Sequence, residues 1–214
     1  MITRLLGVAL VSTAWACSSA GPGAPPTTEP ISSAALEQAA LADSVRSSYT
    51  QADIAFMRGM IHHHAQALVM SRMAPSHDAG PALRIMAERI INAQRDEIAL
   101  MTRWLRDHGE PAPSEAERMG HQHDPAMHMP GMLSAEQMAA LDAARGEEFD
   151  RLFLTYMIQH HQGAVTMVRE LFATRGAARH ETVFKLASDI EADQSSEITR
   201  MQTMLQEVLF GGGP

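Results

Sequence analysis

The sequence predicts an all-α protein, a four-helix bundle built from one helical hairpin written twice. Three observations carry this expectation. Aromatic residues make up only 5% of a chain that is 45% hydrophobic. Ala, Leu and Met fill the apolar positions, where a sheet would call for β-branched and aromatic side chains. Two long stretches repeat in register, and within each stretch the apolar residues recur with helical rather than strand period.

The repeat is legible by eye. Asp53, Phe56, Met57, Met60, Ile61, His63 and His64 match Asp150, Phe153, Leu154, Met157, Ile158, His160 and His161, and the match runs on through Ala67 with Ala164 and Met70 with Met167. A second block pairs Ala87, Ile90, Gln94, Glu97, Ile98, Met101 and Leu105 with Ala187, Ile190, Gln194, Glu197, Ile198, Met201 and Leu205. Phe56, Met60, His63, Ala67 and Met70 fall on one stripe at about 100° per residue, and Ile90, Gln94, Glu97, Met101 and Leu105 fall on another. Burying four such stripes is most simply done in a four-helix bundle.

The elements follow in order. Residues 1–16 carry a basic start at Arg4 and then an apolar run too short to span a membrane, the form of a signal peptide. Cys17 follows directly, as in a bacterial lipoprotein signal, so Cys17 is expected to carry lipid and to place the protein in the periplasm or at the cell surface. Plain secretion is the alternative. Residues 17–49 form the anchor tether and N-terminal segment, rich at first in Ser, Gly, Pro and Thr. The bundle is expected over residues 50–209. Thr50-x-x-Asp53 caps its first helix; Pro75 and Gly80-Pro81 precede the second, and His108-Gly109 with Pro111 and Pro113 ends it. Ser134-x-x-Gln137 caps a short helix, Gly146 precedes a long one to about Thr174, and the last runs from about Arg179 to Leu209.

Composition also narrows function. The formal net charge of −8 disfavours nucleic acid as a partner. The 16 Met and 11 His stand against a single Cys, so a lipidated Cys17 leaves no thiol for a disulfide.

The repeated chemistry is Met-x-x-His-His, at Met60, His63 and His64 and again at Met157, His160 and His161. Residues three apart on a helix are neighbours, so a Met and a His can aim at one point. Ferritin-like di-iron bundles use Glu-x-x-His in this way. With Met in place of Glu, soft thioether beside imidazole suits copper, above all Cu(I). Packing explains most Met on apolar stripes, and a carboxylate partner explains most His there. Glu97 and Glu197 are placed to be that partner, or to orient a ligating ring from the second layer. His64 and His161 are expected at a helix–helix seam, and His62, opposite Gln159 in the repeat, at the solvent.

Between the hairpins lies a tract in which Met119, His121, His123, Met127, His128, Met129 and Met132 make up half of fourteen positions. Its Gly and Pro residues argue against helix interior, so its Met residues are not explained as core, and weaker, adaptable metal sites are expected there. Deleting 119–132 is expected to lower metal stoichiometry while leaving the helices intact.

These motifs resemble the ferritin-like helical family catalogued as domain of unknown function 305, which includes periplasmic copper-binding proteins of the CopM type. The likeness rests on Phe56-Met57-x-x-Met60-Ile61-x-His63-His64-x-x-Ala67, on Phe153-Leu154-x-x-Met157-Ile158-x-His160-His161-x-Gly163-Ala164, and on Met129-Pro130-Gly131-Met132. It covers about Thr50 to Leu209 and implies a four-helix bundle, export, and copper binding or tolerance. Two departures are His62, without a counterpart, and Glu170 where the first repeat has Met73. The expectation is therefore a non-enzymatic, exported protein that buffers or transfers Cu(I), its partners the copper ion and a second copper-handling protein, its contact with the membrane only through a lipid anchor. The competing readings are a ferritin-like metal oxidase and a structural helical module whose Met and His merely pack.

Overall fold

The computed structural model describes residues 32–34, 36–38, 49–120 and 129–211. Four long helices form the bundle: α1 (Gln51–Met73), α2 (Pro81–Asp107), then, after two short helices α3 (Glu115–Gly120) and α4 (Ala135–Ala143), α5 (Gly146–Ala173) and α6 (Glu181–Phe210). Among the described residues there is no strand, and no helix is long and apolar enough to cross a membrane. The expected signal peptide, Cys17 and most of the tether lie outside the described residues.

Local chemistry fixes the helix ends. At α1, Thr50 Oγ1 accepts from the Asp53 backbone N–H and Asp53 Oδ2 accepts from the Thr50 N–H, a reciprocal capping box. Ser134 and Gln137 close the same box on α4. α2 opens on Pro81, whose missing N–H costs nothing in a first turn, and is followed by Gly109 at φ +70°, a conformation that favours glycine. α6 starts two residues later than the sequence suggested because His180 serves as the cap, its Nδ1 accepting from the Thr182 N–H.

α1 packs on α2 and α5 on α6, and the two hairpins join chiefly along α1 and α5. Those two helices run antiparallel: Gly59 faces Met167 while His63 faces His160. Each hairpin also hooks the other. Asp53 Oδ1 accepts the Ala178 N–H at 2.6 Å in the α5–α6 loop, and the carboxylate of Asp150, its match in the repeat, accepts the Gly80 N–H at 3.0 Å in the α1–α2 loop.

α1 is the most enclosed element, with every residue from Met60 to Leu68 buried. This corrects the expectation for His62, which is only 7% exposed. A helix covered by α2, α3, α4 and α5 has no solvent side at that level.

Candidate metal centre

The four matched histidines, His63, His64, His160 and His161, are all fully buried. The rings of His63 and His160 meet across the α1–α5 seam with centroids 3.8 Å apart, and His64 and His161 flank them at 6.3 and 6.2 Å from their neighbours. His64 and His161 do lie at seams, each against the carboxylate of its own hairpin. His161 Nε2 donates to Glu197 Oε2 at 2.8 Å, and His64 Nε2 lies 2.6 Å from Glu97 Oε2, closer but off the hydrogen-bond direction.

The two central rings are held by backbone. His63 Nε2 donates to the Pro130 carbonyl and His160 Nε2 to the carbonyl of His63, both at 3.0 Å. Since a carbonyl only accepts, each neutral ring carries its proton on Nε2 and a lone pair on Nδ1. All four Nδ1 atoms are buried without a hydrogen-bond partner. One turn ahead of the two glutamates, Gln94 Nε2 and Oε1 and Gln194 Oε1 are also buried and unpartnered. Native interiors leave few such atoms, and each calls for an explanation such as an ion or a water.

Burial also sets the protonation state. Desolvation, helped by the neighbouring His64 and His161, lowers the His63 pKa to about 3 against the opposing pull of the Pro130 carbonyl. His160 is driven well below its ordinary value by desolvation and then by His63, His161 and His64. Both rings stay neutral, the form in which imidazole binds a metal.

A strap at 129–133 closes over this centre. Besides the Pro130 bond to His63, Gln66 clamps the strap with two buried bonds, Nε2 to the Leu133 carbonyl and Oε1 from the Leu133 N–H, at 3.1 and 2.8 Å. The strap lies so close to α5 that a Cβ on Gly163 would stand 2.0 Å from the Pro130 oxygen. A Cβ on Gly131, which is at φ +77°, would stand 2.6 Å from the Gln159 carbonyl oxygen and 2.7 Å from the Gly163 Cα. The end of the Met/His tract is thus packed onto the site: His63 takes its partner from Pro130 within it, and Gln66 grips Leu133 directly after it.

The sulfur donors divide. Met60 and Met157, one turn before His63 and His160, are fully buried within the apolar core. Met70 is buried in the same apolar cluster as Leu83 and Met86, about 10 Å beyond His63 along α1. Its match Met167 is only partly buried. With Met129, Phe56 and Glu170 it lines a surface cleft of about 340 Å³, where Met167 Cε and Met129 Sδ crowd the side of Gly59 at 3.4 and 3.6 Å from the position of a Cβ. Met132 is half-buried on the strap. Met119 falls in α3 rather than in a loop, since Ser114 and Glu117 form a capping box that starts a helix there. His121, His123, Met127 and His128 lie outside the described residues. Among the described residues no three His, Cys, Asp or Glu side chains gather tightly enough to hold an ion between them. What the bundle offers is four buried imidazoles with unpartnered Nδ1 atoms, with Met60 and Met157 one helical turn before His63 and His160 in the chain.

The sequence pointed to the histidines and to Glu97 and Glu197. It gave no role to Gln66, Pro130, Gly131 and Gly163, which build the strap contact, or to Gln94 and Gln194.

The family model described as domain of unknown function (DUF305) matches residues 53–205. Three solved structures show the same architecture. A DUF305 fragment from Deinococcus radiodurans is 30% identical, over 74% of this chain and 98% of that one, with a TM-score of 0.62. A DUF305 protein from Streptomyces coelicolor, described as secreted, is 29% identical over 73% and 93%, also with a TM-score of 0.62. CopM in its Cu(I)-bound form is 32% identical over 72% and 96%, with a TM-score of 0.55. CopM has also been solved with Cu(II), with silver and in the apo form. None of the curated proteins matches in sequence. The family model covers most of the chain and these solved structures share its helical fold: the chain belongs to the DUF305 family.

Proposed function

We propose that this protein is an exported copper-binding protein that buffers Cu(I) in the cell envelope or hands it to another copper-handling protein, and so contributes to copper tolerance. It acts as a carrier and not as an enzyme. The observation that carries the reading is the set of four buried imidazoles whose Nδ1 atoms have no partner. The similarity to CopM, solved with copper and with silver, supports the choice of a soft ion. His63, His64, His160 and His161 supply nitrogen, and Met60 and Met157 supply sulfur from the adjacent turn. Glu97 and Glu197 orient the outer rings through Nε2. Met129 and Met167 add a pair of thioethers at the surface cleft, and the Met/His tract before the strap adds adaptable donors.

Anaerobic titration of Cu(I) against a chromophoric chelator, compared with Zn(II) and Fe(II), tests this directly. Selective uptake of Cu(I) is expected. Glu197→Gln should weaken it about 10- to 100-fold with helicity unchanged, the usual effect of losing a partner that orients a ligand. A protein that ignores Cu(I) would end the proposal, and iron-dependent oxygen consumption would favour a metal oxidase instead. The signal-like start with Cys17 and the likeness to a relative described as secreted support the proposed address. The full chain should fractionate with membranes and Cys17→Ser should not; identical fractionation of the two would remove the lipid anchor from the proposal.

A further inference from the structure

On the outer face of the first hairpin, α1, α2 and α3 enclose an open groove of about 750 Å³. Five arginines line it, Arg72, Arg95, Arg103, Arg106 and Arg118, against two acids, Asp107 and Glu115. The groove is therefore positive in a chain whose net charge is −8. Among the described residues, Arg72, Arg95, Arg103 and Arg106 make no ion pair or hydrogen bond. The floor is apolar, formed by Ala65, Leu68 and Ile98, and the Thr102 hydroxyl beside it is buried without a partner. A groove of this size suits a small molecule, with an apolar bed for its body and a few polar groups to fix its head.

The second hairpin supplies an internal comparison. At the matched place it has a smaller cleft of about 320 Å³, lined by Val165 and Ile198 where the first has Leu68 and Ile98. The apolar floor therefore belongs to the fold. The charge does not: Arg95, Arg103 and Arg106 are matched by Ser195, Thr203 and Gln206. Arg169, the match of Arg72, is already neutralised by Glu191 at 3.2 Å. Nothing in helix packing calls for unpaired arginines on one hairpin when the other does without them. Along α2 the charges extend about 17 Å from Arg95 to Arg106, so the site is long.

We propose that this groove binds an anionic amphiphile, a molecule with a phosphate or carboxylate head and a hydrocarbon body. Arginine forks clasp the oxyanion in bidentate fashion. The aliphatic arginine stems and the Leu68–Ile98 floor cover the chain. The head-group chemistry is shared by a membrane lipid and by a free amphiphile.

Calorimetric titration of the metal-free full chain tests the site, using dodecyl phosphate below its micellar concentration. Inorganic phosphate and dodecyl maltoside separate the contributions of head and tail. The diagnostic variant, Arg95→Ser/Arg103→Thr/Arg106→Gln, gives the first groove the residues of the second. All three side chains are exposed, so the fold should persist by circular dichroism. A control with the same change in charge, Arg89→Ser/Arg175→Ser/Arg200→Ser, removes exposed arginines elsewhere. Dodecyl phosphate should bind at least tenfold more tightly than either half-ligand, and the groove variant should lose at least tenfold while the control does not. Equal binding of dodecyl phosphate and either half-ligand, or equal loss in both variants, would overturn the proposal. Co-sedimentation with phosphatidylglycerol but not phosphatidylcholine vesicles, abolished in the groove variant, assigns the source to a membrane lipid. Dodecyl phosphate binding without vesicle binding assigns it to a free amphiphile.

Discussion

Acid should unfold this bundle through its central histidines, and the size of the effect can be worked out. His63 has a folded-state pKa of about 3 because burial and neighbouring rings oppose its charge, whereas the unfolded chain leaves it near 6.5. Between those values the unfolded state binds the extra proton, so stability must rise with pH in that window and fall as pH is lowered through 6.5. Each pH unit inside the window is worth about 1.4 kcal/mol per histidine. Moving from pH 7 to pH 5 should thus cost about 2 kcal/mol from His63 alone. His160 is shifted the same way and adds to the loss. Asp150 and Asp193, whose pKa values are raised mainly by desolvation, act in the opposite direction. Against a typical domain stability of about 5–15 kcal/mol the effect is large. The assay is urea unfolding of chelator-treated protein, followed by circular dichroism at pH 7 and pH 5. The midpoint should drop by about 1 M urea or more, given the usual slope for a chain of this size. In His63→Gln the pH dependence should shrink by the share of one proton. An unchanged midpoint in the wild type, or greater stability at pH 5, would refute the reasoning.

Two substitutions test the strap. Gly163→Ala would gain roughly 1 kcal/mol in an ordinary helix, but here the new Cβ meets the Pro130 oxygen at 2.0 Å; melting should show a loss of about 3 kcal/mol, with new proteolytic cleavage near Met129. Gln66→Ala strands the buried N–H and C=O of Leu133 and should cost about 2–4 kcal/mol by urea unfolding, whereas Gln137→Ala on the exposed cap of α4 should cost about 1 kcal/mol.

The four long helices and the caps at Thr50 and Ser134 could be read from the sequence because they depend on local spacing. His63, His64, His160 and His161 were legible for a related reason, since helical period puts them on inward faces. The role of His62 was not, because whether a helix has a solvent side depends on what packs around it. The strap was hidden for the same reason: Pro130 acts through a carbonyl, which every residue has, and Gly163 through an absent side chain. Ser114-Glu-Ala-Glu117 was a local signal that could have been read, and it explains why Met119 sits in a helix.

The crossed hooks from Asp53 to Ala178 and from Asp150 to Gly80 bear on how such a chain could have arisen. One hairpin alone carries both halves of the latch, an acidic helix start and a loop that offers an N–H. Two identical hairpins could therefore clasp each other about a two-fold axis, each giving its acid to the other's loop in a reciprocal pair of latches. Joining two genes end to end would preserve that embrace within a single molecule. Once fused, each half would be free to diverge, and the two halves do differ: arginines line the outer face of one hairpin only, and the strap after the first hairpin lies over the centre between them.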